Sequence, residues 1–187
     1  MQIEEIFDNL PELKTNRLIL RKMTLYDAQD MYEYASDPEV TKYVIWDYHK
    51  SIDDSISFLK SIIKKYENME VSGWGIEYKN NNKLIGTCGY VLWVPTHSLA
   101  EIAYALSRKY WGRGLMTEAV KEVIKFGFEK MNLNRIYARC MVESVGSYKV
   151  LDKAGMKFEG VLREQMFIKG AFRDMKIYSI LKKEYYK

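Results

Sequence analysis

Between residues 110 and 118 the chain reads Tyr110-Trp111-Gly112-Arg113-Gly114-Leu115-Met116-Thr117-Glu118. The chemistry open to such a segment is the holding of an anion. It follows an apolar strand pattern and precedes an amphipathic helical one, so both glycines fall where a helix begins. A helix start presents amides without intrahelical acceptors, together with the positive end of the helix dipole. Glycine brings that backbone close to a ligand with no Cβ in the way. Strand, small-residue turn and helix N-terminus together form a phosphate cradle. Two familiar phosphate binders are excluded by the spacing. No Gly-Lys-Ser/Thr follows, as a P-loop requires, and Thr117 stands where a dinucleotide fingerprint needs its third glycine.

A second reactive group is Glu101, the one charged residue in an apolar run from 99 to 106. Strand alternation sets it on a face with Leu99, Ala103 and Ala105. Burying a carboxylate without a partner is costly, and such surroundings raise its pKa toward the range of a general base. The other role open to it is an ion pair at the exposed start of the strand.

The elements that must position these groups are legible from periodicity. Residues before Lys14 form an arm, and Arg17 to Arg21 a first strand. Asp27 to Ala35 is a helix with Ala28, Met31, Tyr32 and Ala35 at helical spacing, broken at Asp37-Pro38. An aromatic loop from Thr41 to Lys50 carries Tyr43, Trp46, Tyr48 and His49. Ser51 caps a second helix with Asp54 in its first turn and Ile52, Ile56, Leu59 and Ile63 as its apolar stripe. Trp74 to Tyr78 and Leu84 to Val94 pair across Asn80-Asn81-Asn82. The strand at 99–106, apolar on both faces apart from Glu101, predicts cover on both sides. After the glycine turn, Ala119, Val120, Val123, Ile124, Gly127 and Met131 mark one helix face. Arg135 to Val142 is a strand and Val145 to Ala154 a helix stopped by Gly155. Gly160 to Leu162 and Met175 to Leu181 are strands around a turn at Lys169-Gly170. The order predicts a mixed α/β sheet wrapped by helices.

Composition sets the class. The chain has 187 residues, 48% hydrophobic and 29% charged, with a formal charge of +4. This is the balance of a soluble globular protein, and one domain over residues 1–187 is expected. No dense basic block points to nucleic acid, and no apolar run approaches the length of a membrane span. The start, Met1-Gln2-Ile3-Glu4-Glu5, does not read as a secretory signal. Cys88 and Cys140 lie in strand-like runs without a CxxC pair, so buried free thiols and a cytoplasmic setting are expected. His49 and His97 lack metal-ligand spacing, so no metal is expected.

The glycine segment resembles the cofactor motif of the GNAT superfamily of acyl-CoA-dependent N-acetyltransferases, Gln/Arg-x-x-Gly-x-Gly/Ala. Trp111 stands in place of Gln/Arg, and Met116 in place of a small residue. Both replacements, and the following Thr117-Glu118-Ala119, are similar to the RimJ/RimL branch that acetylates ribosomal-protein N-termini. Thr15 to Arg21, Asp27-Ala28, Gly86-Thr87, Ala100 to Tyr104, Lys153 to Met156 and Glu159 to Arg163 follow in the family's order, so the resemblance covers nearly the whole chain. It implies a mostly antiparallel central sheet, splayed at the cofactor site and flanked by helices. It implies acetyl-CoA as acyl donor and a primary amine as acceptor, in a monomer or homodimer.

By the same resemblance the amides of Gly112, Arg113, Gly114, Leu115, Met116 and Thr117, with Trp111 beside them, hold the pyrophosphate. Met116 then points to the core. Backbone groups of Tyr104, Ala105 and Leu106 pair with the pantetheine arm, as an added strand does. Glu101 acts as base or relays through water. The family's second motif falls on Ser144 to Leu151. Its usual tyrosine acid is Leu151 here, its asparagine is Ser144, a cofactor contact, and the branch's alternative acid is Ser147. For Ser147 a helix-start cap is an equal reading. Trp46, Tyr48 and Trp93 are expected to line the acceptor groove. The acceptor expected is a protein N-terminal α-amine, with a small-molecule amine or a non-catalytic acyl-CoA sensor as alternatives.

Overall fold

The computed structural model describes residues 3–187, so Met1 and Gln2 of the expected arm lie outside the described residues. Helix α1 (Ile3–Phe7) leads into β1 (Leu13–Lys14) and β2 (Leu18–Arg21). Helices α2 (Ala28–Ala35), α3 (Pro38–Thr41) and α4 (Ile52–Glu67) come next, then β3 (Gly73–Tyr78), β4 (Lys83–Val94) and β5 (Leu99–Leu106). The chain continues through α5 (Leu115–Glu129), β6 (Arg135–Met141), α6 (Val145–Lys153), β7 (Lys157–Ile168), β8 (Ala171–Leu181) and α7 (Lys182–Tyr185). The strands form one sheet in the order β1-β2-β3-β4-β5-β6-β8-β7. Every neighbouring pair is antiparallel except β5 and β6. That parallel step needs a crossover, and α5 supplies it. Among the described residues no helix is long and apolar enough to cross a membrane.

Most elements lie where periodicity puts them, and the local causes are visible. Asp37 accepts from the Glu39 amide and Pro38 occupies the first turn, so the break after α2 opens a new short helix, α3. Asp54 accepts from the amides of Lys50 and Ser51, closing the start of α4. Asn82 takes positive φ in the β3–β4 turn, and Lys169 and Gly170 do so between β7 and β8.

Two expectations are corrected. The buried residues of α4 are Ser55, Leu59 and Tyr66; of the predicted stripe Leu59 is among them, Ile56 packs half-buried against the core, and Ile52 is exposed. Ser55 can be buried because its hydroxyl meets His49 Nδ1 at 2.7 Å, a contact that an apolar pattern does not register. The second correction concerns β5, which is not covered along its whole length. It shares register with β6 only at Leu99↔Arg135, Ala100↔Ile136 and Glu101↔Tyr137. Beyond Glu101 it runs on paired to β4 alone, and β6 to β8 alone. Ala103 is exposed and Tyr104 and Ala105 are half-buried because their neighbour on that side has diverged.

Helix α5 carries the glycine turn at its head, so its seat on the sheet positions the cradle. Phe126 meets Trp74 edge-on at 5.3 Å between centroids, and the Tyr90 hydroxyl donates to the Val123 carbonyl at 2.7 Å. Gly127 allows this approach, because a Cβ there would collide with the Tyr90 hydroxyl and lie 2.7 Å from Ile136. Gly127→Ala gains about 1 kcal/mol of helix propensity. Overpacking against the buried, hydrogen-bonded Tyr90 costs about 1–3 kcal/mol. We therefore expect net destabilisation by about 1 kcal/mol or more, read from urea denaturation; a more stable variant would show that α5 can lift off the sheet freely.

Candidate active site

Gly112 and Gly114 both adopt φ of +74°, the left-handed conformation that favours glycine, and Gly114 is the N-cap of α5. The turn leaves the amides from Gly112 to Thr117 without a protein acceptor among the described residues. Leu115 and Met116 are buried, so their side chains anchor the first turn while their amides stay free. The Trp111 indole donates to the Leu106 carbonyl at 2.8 Å, which ties the turn to the end of β5. That bond engages the Leu106 oxygen, one of the backbone groups expected to serve the pantetheine arm.

The cradle is braced from the far edge of the sheet by residues that periodicity did not single out. Glu118, in the first turn of α5, accepts from the Thr15 hydroxyl at 2.5 Å, the Arg17 amide at 2.9 Å and Arg17 Nε at 2.7 Å. Arg17 Nη1 also donates to the Arg113 carbonyl at 3.0 Å, and the Arg113 guanidinium lies over the Tyr110 ring. Burial pushes the Glu118 carboxyl up, but these donors outweigh it and hold the group below its ordinary range.

At the crotch of the fork stands Glu101, the last residue of β5 to pair with β6. It is buried, and its carboxylate accepts from Arg139 Nε at 2.8 Å, Arg139 Nη2 at 2.9 Å and the Tyr137 hydroxyl at 3.0 Å. It does form an ion pair, then, but inside the fork rather than at an exposed strand start. Burial, followed by the Glu101 charge, pushes the Tyr137 phenol up to about 12, so it remains a donor. Tyr104 lies on the opposite face of β5 by alternation. Its hydroxyl is 3.0 Å from both the Ser147 carbonyl and Ser147 Oγ. The fork is thus flanked by a carboxylate on one face and a hydroxyl pair on the other.

Other expected residues separate. Ser144 is the buried N-cap of α6, accepting through its carbonyl from the Ser147 and Tyr148 amides. Leu151 is fully buried where the motif's tyrosine would stand. Trp46 is half-buried beside His49 in the loop ahead of α4, and Tyr48 is exposed there. Trp93 is corrected: it pairs with Ala100, hence faces away from Glu101, and is buried against Phe7. From the hairpin turn Lys169 reaches the same loop, donating to the Thr41 carbonyl at 2.5 Å and lying 3.9 Å from Asp47. Cys88 and Cys140 are buried free thiols, and no cluster among the described residues could hold a metal.

Comparison with known proteins decides the family. Residues 17–157 match the model of the acetyltransferase (GNAT) domain. The chain belongs to the GNAT acetyltransferase family. It is 38% identical over 177 residues to the uncharacterized N-acetyltransferase p20 of Bacillus licheniformis, covering 92% of this chain and 97% of that protein. It superposes on a GNAT-family acetyltransferase from Bacillus anthracis with a TM-score of 0.82 at 29% identity, covering 92% of this chain and 99% of the other. RimL, the ribosomal L7/L12 alpha-N-protein acetyltransferase solved with coenzyme A, shares the fold with a TM-score of 0.81. Identity there is 16%, covering 91% of this chain and 98% of RimL.

GNAT acetyltransferases use acetyl-CoA, and the residues here fit it. Unbonded amides at the head of α5 suit a diphosphate, and the unpaired reach of β5 suits an extended arm. Two measurements probe the bracing. Stability from a carboxyl held low is present above the unfolded value of 4.5 and lost as pH falls through the lower folded value. Glu118→Gln should therefore cost about 1–2 kcal/mol at pH 7, a deficit that closes as denaturation is repeated below pH 4.5. Arg139→Met strands a buried carboxylate and should cost about 3 kcal/mol, with Glu101→Gln in that background restoring part of it. An undiminished melting temperature in Arg139→Met would show that the pair does not hold the strands together.

Proposed function

We propose that the whole chain works as one catalytic domain that moves an acetyl group from acetyl-CoA to a protein N-terminal α-amine. The carrying observation is the fork itself: free amides at one end, unpaired β5 backbone along one prong, and Glu101 at the crotch. Acetyl-CoA supplies the acetyl group as a thioester. The amides from Gly112 to Thr117 hold the diphosphate, with Trp111 fixing the turn. The backbone of Tyr104 and Ala105, with the Leu106 amide, aligns the arm, and Ser144 sets the start of α6 against it. Glu101 takes the proton of the incoming amine directly or through a water, and Ser147 donates to the sulfur as it leaves.

The acceptor class follows from how Glu101 is held. Arg139 and Tyr137 engage both of its oxygens, so the site suits an amine that arrives already neutral. An α-amine, with a reference pKa of about 7.7–8.0, is already partly neutral at cellular pH, whereas a lysine amine near 10.4 asks far more of a base. Arg139 beside Glu101, and Lys169 against the Trp46–Tyr48 loop, make a polycationic acceptor the weaker fit. Fold kinship with RimL, an α-N-protein acetyltransferase, supports the same class.

The test follows thiol release from acetyl-CoA with N-terminal peptides, polyamines and aminoglycosides, and locates the acetyl group by mass spectrometry. Acetylated peptide α-amines are the expected product; modification of a polyamine or aminoglycoside alone would shift the acceptor to small molecules. Saturable acetyl-CoA binding without turnover of any amine would favour an acyl-CoA sensor. Glu101→Gln should lower turnover about 100-fold with acetyl-CoA binding intact, and near-native turnover would remove it as base.

A further inference from the structure

Ser147 lies in α6, the helix that follows β6, within reach of β5. Tyr104, on the stretch of β5 that β6 has left, touches its hydroxyl and its carbonyl, each at 3.0 Å. A serine on the helix that follows β6, bonded to β5 beyond the last pair the two strands share, bridges their divergence, where a thioester threaded through the fork would bring its sulfur.

The hydrogen count around Ser147 is restrictive. The Tyr104 hydroxyl has one proton, and the Ser147 carbonyl can only accept. With the Tyr104 proton on that carbonyl, the Ser147 hydroxyl is free to donate to the Tyr104 oxygen, closing a small loop. Turned instead toward Ser147 Oγ, the Tyr104 proton releases the Ser147 proton for another acceptor. Both geometries are available at the same distances, so the switch needs only rotation of two hydroxyls.

We propose that the Tyr104 side chain is a positioning residue that directs the Ser147 hydroxyl onto the departing sulfur. The idea rests on the acetyl-transfer reading above. In that reaction the amine nitrogen bonds to the carbonyl carbon, the carbon–sulfur bond breaks, and its electron pair goes to sulfur. The proton shed by nitrogen balances the one finally carried by the thiol, so Tyr104 loses none. As charge grows on sulfur, Ser147 donates to it and Tyr104 swings from the carbonyl to Ser147 Oγ. Linked donors polarise one another, which strengthens the bond to sulfur. The arrangement also puts a phenol at the fork although the motif's own tyrosine is Leu151 here, because β5 supplies it instead of α6. Burial pushes the Tyr104 phenol well up, so it stays an O–H donor throughout the working range.

Tyr104→Phe keeps the ring and deletes only the hydroxyl. Ultraviolet difference titration of bound coenzyme A, with desulpho-coenzyme A as blank, reads the ionisation of its thiol without any acceptor. A hydrogen bond to the thiolate favours ionisation. In Tyr104→Phe the bound thiol should therefore ionise about one pH unit higher than in the native protein, a tenfold change. Ser147→Ala should shift it at least as far, and Tyr104→Phe should add nothing in the Ser147→Ala background. Turnover should fall about tenfold in Tyr104→Phe with KM for acetyl-CoA within about twofold. An unchanged thiol pKa in Tyr104→Phe, or an equal shift in both backgrounds, would overturn the proposal and leave Tyr104 as packing for α6. Failure of the native protein to bind coenzyme A would overturn the acetyl-transfer reading, and this proposal with it.

Discussion

Everything about the site depends on two parallel strands that stay together for three residue pairs and then part. Backbone N–H and C=O groups turned toward a missing neighbour must find other partners. Along β5 beyond Glu101 the protein itself offers little on that side: the Leu106 oxygen meets the Trp111 indole. A ligand with alternating amides of its own can stand in for the absent strand. The glycine turn continues that logic at the head of α5, where six consecutive amides, from 112 to 117, lack protein acceptors among the described residues.

A fork of this kind has to be held at its base and at its far end. At the base, Glu101 on β5 grips Arg139 on β6, with Tyr137 adding a third bond. Breaking such a pair on one side is costly because a charge is left buried alone. At the far end, Glu118 gathers Thr15 and Arg17 from the opposite region of the sheet. Arg17 in turn caps the Arg113 carbonyl, so the cradle is fixed without using its amides. The same carboxylate that clasps the fork is the one proposed as base, so on that proposal the stability of the site and its chemistry are joined.

Much of the fold was legible in the chain, because strand and helix boundaries follow periodicity and turn residues. The start of α5, the limits of β5, the stop at Gly155 and the Lys169-Gly170 turn could all be read directly, while Met131, expected on the face of α5, lies beyond its end at Glu129. The glycine cradle was legible for the same reason, as a local pattern. Contacts set by register across the sheet were not. Arg139 and Tyr137 read only as strand residues, and nothing local says that β6 brings them to Glu101. Arg17 and Glu118 lie 101 positions apart and meet only in the folded sheet. Trp93 read as a groove aromatic, yet pairing with Ala100 turns it to the other face, against Phe7. The buried stripe of α4 was read in part: Ile56 and Leu59 pack inward, but Ser55 is inside by virtue of a hydrogen bond to His49.

The central claim is that free backbone amides at the fork receive the diphosphate and arm of acetyl-CoA. Amide hydrogen exchange, resolved by residue with and without saturating acetyl-CoA, tests it most directly. Exchange should slow about tenfold or more from Gly112 to Thr117, with protection along the open reach of β5 as well. Unchanged exchange at those residues, whether acetyl-CoA binds elsewhere or not at all, would contradict the claim.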